Sequence, residues 1–75
     1  MKNDARETYQ TRANDIARLL DVLEMELAKH ADAAKADARC WGKVGDLGKV
    51  RSDLIDLVAF MSNIDPENIE AFLAE

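Results

Sequence analysis

Residues 9–34, YQTRANDIARLLDVLEMELAKHADAA, place Tyr9, Ala13, Ile16, Leu20, Leu23, Leu27, His30 and Ala34 in unbroken alternating steps of four and three. A repeat averaging 3.5 residues draws one apolar stripe along an α-helix, and such a stripe needs another helix against it. The pattern decides the fold class: all-α, built around one long helix. It speaks to packing and association, and contains no reaction chemistry.

Outward from the seam, the helix is expected to run from about Asp4 to about Ala38. Asp4 and Glu7 near its start, and Lys35 and Arg39 near its end, complement the helix dipole. Its second half is rich in alanine, at 28, 31, 33, 34, 36 and 38. Alanine is the strongest helix former, and its small side chain lets a second helix approach closely.

The stretch Cys40-Trp41-Gly42-Lys43-Val44-Gly45-Asp46-Leu47-Gly48 follows. Three glycines at intervals of three predict a turn over 39–46, with Trp41, Val44 and Leu47 as anchors closing a helical hairpin. A second helix is expected over 47–62, with Leu47, Val50, Leu54, Leu57 and Met61 on one stripe and Val58 beside it. Ile55 and Phe60 flank that stripe on opposite sides, by roughly 100° each, so a single neighbour cannot bury them all. Asp65-Pro66-Glu67 then signals a third helix over 66–74, capped by Asp65, with Pro66 first in the helix and Ile64 and Ile69 as a hydrophobic staple. The whole is one helical domain.

Composition narrows the class. Seventy-five residues, 48% hydrophobic and 33% charged, are too apolar for disorder and too poor in β-branched and aromatic residues for a sheet protein. A chain this short supplies only about 3–5 kcal/mol from a lone core and commonly adds a disulfide, a metal or a second subunit. Cys40 is the only cysteine, so no disulfide forms within the chain, and a lone thiol fits a reducing cytoplasm. Residues 1–15 are polar throughout, without the apolar core of a signal peptide. The longest apolar run, Leu57–Met61, is far short of a membrane span.

The net charge of −5 argues against direct nucleic-acid binding, which needs clustered Lys and Arg. The charge is unevenly distributed: −2 over residues 1–26, +3 over 27–51 and −6 over 52–75. A basic middle and an acidic tail suit charge matching within a chain or between two copies.

Candidate sites weigh toward structure. His30 sits on the seam, where a polar residue helps fix register; pH sensing and metal ligation are its lesser readings. Glu26 and His30 are four apart, whereas the di-iron bundle motif needs Glu-x-x-His, and the chain has no second histidine. Cys40 lies roughly 15 Å along a continued helix from His30, too far for a nucleophile and its base. Gly42–Arg51 fails the P-loop test, since five residues separate Gly42 from Gly48 and Val50 stands where Ser or Thr belongs. Lys43, Lys49 and Arg51 at a helix start remain a candidate weak anion site, which Asp46 opposes. No catalytic group, metal or cofactor is called for.

The segment from Trp41 to Val50, with the amphipathic helix after it, resembles short, functionally unassigned bacterial proteins, some from phage or mobile-element settings. The likeness covers about residues 38–61. It implies a bacterial cytosolic origin and a helical hairpin, and brings no activity and no site residues.

The expectation is therefore a non-enzymatic interaction module that dimerises into a bundle, burying Ile16, Leu20, Leu23, Leu27, His30, Leu54, Val58 and Phe60. Another protein is a further expected partner. The second reading is an acidic nucleic-acid mimic, with Asp53, Asp56, Asp65, Glu67, Glu70 and Glu75 meeting a basic protein.

Overall fold

A computed structural model describes residues 4–37, 39 and 41–75. It contains α1 (Ala5–Lys35), α2 (Trp41–Ser62) and α3 (Pro66–Leu73), with no strand among the described residues. No helix among them is long and apolar enough to cross a membrane. The chain divides into two units, one carrying α1 and the other α2 with α3.

In the first unit, α1 begins as its sequence dictates. The Asp4 carboxylate accepts the Glu7 backbone N–H at 2.8 Å, and the Asp4 carbonyl accepts from Thr8. A side chain that satisfies a helix's unpaired amides in this way contributes about 1 kcal/mol. The helix stops at Lys35, short of the expected end at Ala38, a position outside the described residues. The N–H groups of Ala36 and Asp37 turn back to the carbonyls of Ala33 and Ala34, the tightened geometry of a closing turn. A carboxylate at position 37 opposes further helix, because a helix C-terminus carries partial negative charge. All of residues 9–34 are helical, so the eight seam residues lie on one face, yet no residue of α1 is buried.

The second unit corrects the sequence reading. Residues 41–46 do not form a turn: α2 starts at Trp41 and carries Gly42, Gly45 and Gly48 in its first two turns, none with positive φ. Once nucleated, a helix gains one hydrogen bond per residue fixed, and that gain outweighs about 1 kcal/mol lost per glycine. Nothing lies within 4 Å of a side chain added at any of the three, so neither a special φ nor close packing demands glycine there.

The turn between α2 and α3 lies at 63–65, where the sequence reading also ends one helix and starts the next. Asn63 takes φ 61°, the left-handed region that asparagine tolerates better than most residues. Its N–H closes on the Ala59 carbonyl at 2.9 Å, the single bond that ends a helix through a left-handed residue. The Ser62 hydroxyl donates to the Val58 carbonyl at 2.7 Å and accepts from the Ile64 N–H at 3.2 Å. Asp65 is the N-cap in extended conformation with Pro66 next, as expected, but its carboxylate makes no capping bond. Its carbonyl accepts from Asn68 and Ile69 instead.

This turn lets α3 pack against α2. Arg51 on α2 reaches Glu70 on α3, and Ile55, one turn along from Arg51, is 7% exposed. Ile55 is the only buried residue among those described. It flanks the stripe read from the sequence; the stripe itself stays open at Leu47, Leu57, Val58 and Met61. An eight-residue helix covers one side of a longer one and leaves the rest uncovered.

Candidate functional site

The side chains expected to associate fall on two separate faces. Ile16, Leu20, Leu23, Leu27 and His30 share the α1 seam. Ile16, Leu20 and Leu27 are exposed, while Leu23 and His30 are half-buried. Tyr9 extends the face toward the N-terminus, and Ala13 and Ala34 supply small steps within it. Leu19, Val22 and Met25, outside the seam, are also exposed. The heptad count does not single out Leu19; adjacency to Leu20 is the sequence signal that marks it as a flank of the same face.

In the second unit, Leu54 and Val58 are four residues apart and share a helical face. Leu54 is half-buried and Val58 exposed. Phe60 does not join them. Two residues past Val58, it points about 160° away around the helix, and it is 81% exposed. That is the flanking position read for Phe60 from the sequence, off the stripe that carries Leu54.

Trp41, Val44 and Leu47 sit on the first two turns of α2, not on a turn, and all three are exposed, Trp41 to 80%. Cys40 lies outside the described residues.

The candidate anion site also disperses. With α2 helical from Trp41, Lys43 and Lys49 are about 120° apart around the axis, and Lys49 and Arg51 about 160° apart. Lys49 pairs with Asp53 and Arg51 with Glu70. The hydrogen bond that Lys49 donates to Asp53, and then the negative charge of Asp53, hold the Lys49 pKa above its ordinary 10.5. These two cations are matched by carboxylates four and nineteen residues away, and they converge on no common point. The same pairs engage two carboxylates of the acidic C-terminal segment.

Among the described residues no group of three or more His, Cys, Asp or Glu side chains is arranged to hold a metal ion. The chemistry on offer is apolar surface at helical spacing, flanked by charges. No protein-family model, curated protein or solved structure matches this chain.

Proposed function

We propose that the protein is a non-enzymatic helical interaction module, a small adaptor or regulator that self-associates and contacts other proteins through apolar helix faces. One observation carries the reading: Ile55 is buried while Ile16, Leu20, Leu27, Leu57, Val58 and Met61 lie exposed along two helices. Apolar side chains exposed in a row along a helix mark an interaction site in a small chain. A helix of 31 residues with nothing buried also draws little stability from propensity alone, since helices in water gain most from packing an apolar face. The lone Cys40 supports a reducing, cytoplasmic setting for the module.

Light scattering across a hundredfold dilution tests it. The expected mass is about twice 8.4 kDa at the concentrated end. A mass of one chain throughout, with no second protein stabilising the helix, overturns the reading.

A further inference from the structure

We infer that α1 pairs with α1 of a second copy of this chain, antiparallel, with residue 18 of each copy at the level of the two-fold axis. The inference rests on the self-association proposed above and adds its orientation and register.

The seam divides into Tyr9, Ile16, Leu23 and His30 at one heptad position and Ala13, Leu20, Leu27 and Ala34 at the other. In an antiparallel pair the two positions face each other. With residue 18 at the axis, Tyr9 meets the partner's Leu27, Ala13 the partner's Leu23, and Ile16 the partner's Leu20. Two-fold symmetry repeats each layer, so six consecutive layers are apolar.

The flanks choose this register. Arg12 comes opposite the partner's Glu26, twice per dimer. Leu19, exposed on α1, meets the partner's Leu19 across the axis, and Ala17 meets the partner's Ala17 on the other flank. Glu26 already holds Lys29 at 3.2 Å on the helix surface, and a carboxylate has acceptor sites for a second cation.

The competing arrangements lose these matches. A shift of one heptad one way sets Leu19 against the partner's Glu26 and Ala13 against the partner's His30; a shift the other way sets Leu19 against the partner's Arg12 and Leu23 against the partner's Arg6. A parallel pair stacks His30 on the partner's His30 and leaves Arg12 and Glu26 each facing an alanine. Charges flanking an apolar seam set partner choice and orientation, and here one arrangement satisfies both signs.

The test uses the full chain with Cys40→Ala, spin-labelled at Arg18→Cys or Asp32→Cys, both on the exposed α1 face opposite the seam. The antiparallel register predicts no axial offset between labels at 18 and an offset of ~42 Å at 32. A parallel pair gives one and the same distance at both sites. The two neighbouring antiparallel registers give an offset of ~10 Å at 18, and of ~31 or ~52 Å at 32. Either result, in a chain with dimer mass, overturns the register and leaves self-association standing; a monomeric mass overturns both.

Charge exchange supplies a second readout. Arg12→Glu and Glu26→Arg should each weaken self-association by about tenfold, since exposed like charges cost about what opposite ones contribute and each change acts twice. The double exchange should return most of the loss. A double variant as weak as the singles overturns the Arg12–Glu26 pairing.

Discussion

Arg51 of α2 reaches Glu70 of α3, Nη2 to Oε1 at 3.4 Å, across nineteen residues of chain. Ile55, one turn from Arg51 on the same face of α2, is the buried side chain of the unit. The two interactions mark the same packing and differ in weight. Both members of the ion pair are more than half exposed, where such pairs contribute about 0–1 kcal/mol. Burial of an isoleucine contributes about 1.5–3 kcal/mol.

Ile55→Ala should therefore destabilise the α2–α3 unit by about 2 kcal/mol or more, through lost burial and the cavity left behind. Arg51→Ala should cost less than about 1 kcal/mol. Urea denaturation followed by circular dichroism compares them; equal losses would move the packing centre away from Ile55.

Gly45→Ala should stabilise the protein by about 0.5–1 kcal/mol, because the site is helical and open to a methyl group. A tight turn with positive φ at that position would make the same change destabilising. Thermal melting gives the sign directly.

Asn63 should behave in the opposite way. Its φ of 61° suits glycine, so Asn63→Gly should lie within a few tenths of a kcal/mol of the parent. Asn63→Val should cost about 1–2 kcal/mol, because a β-branched side chain crowds the left-handed backbone. Equal stability of the two variants would show that the turn is not closed through this residue.

Lys49 titrates above 10.5 because Asp53 holds its charged form. A raised folded-state pKa favours the fold below the unfolded-state pKa, and the benefit fades as pH rises through the folded value. Asp53→Asn should return the Lys49 titration toward 10.5 in an NMR experiment. Between about pH 6 and 9 the pair's pH-linked contribution stays constant, so any slope in the melting temperature there must arise elsewhere.

Leu23→Asp should abolish dimerisation or unfold α1, since it sets a carboxylate in the middle of the apolar seam. Phe60→Ser, on the far side of α2 from Leu54 and Val58, should leave the mass unchanged. Self-association through apolar faces should also survive about 0.5 M salt; an acidic mimic held to a basic partner by charge would be released as the Debye length shrinks. A wild-type mass and melting curve for Leu23→Asp would remove the seam from the interface.

Much of the architecture was legible from local chemistry. The heptad steps from Tyr9 to Ala34, the acidic start at Asp4 and Glu7, and Asp65-Pro66 at the start of α3 each act within one or two helical turns, so their effect does not depend on the rest of the chain. Gly42, Gly45 and Gly48 misled for a related reason. Glycine lowers the stability of helix and permits a turn, but neither effect compels one, and α2 propagates through all three to Trp41.

What the sequence alone determined is that this chain is helical and presents apolar residues at helical spacing. Tertiary structure decided which of those residues are covered. On α2, the stripe through Leu54 and Leu57 and its flank at Ile55 were equally apolar candidates, and hydropathy does not rank them. The ranking came from Asn63 and Ser62, whose bonds to Ala59 and Val58 set the exit direction of the chain. α3 packs against α2 from that direction, with Ile55 buried and Leu57, Val58 and Met61 left open, because eight residues of helix are too few to cover a longer one.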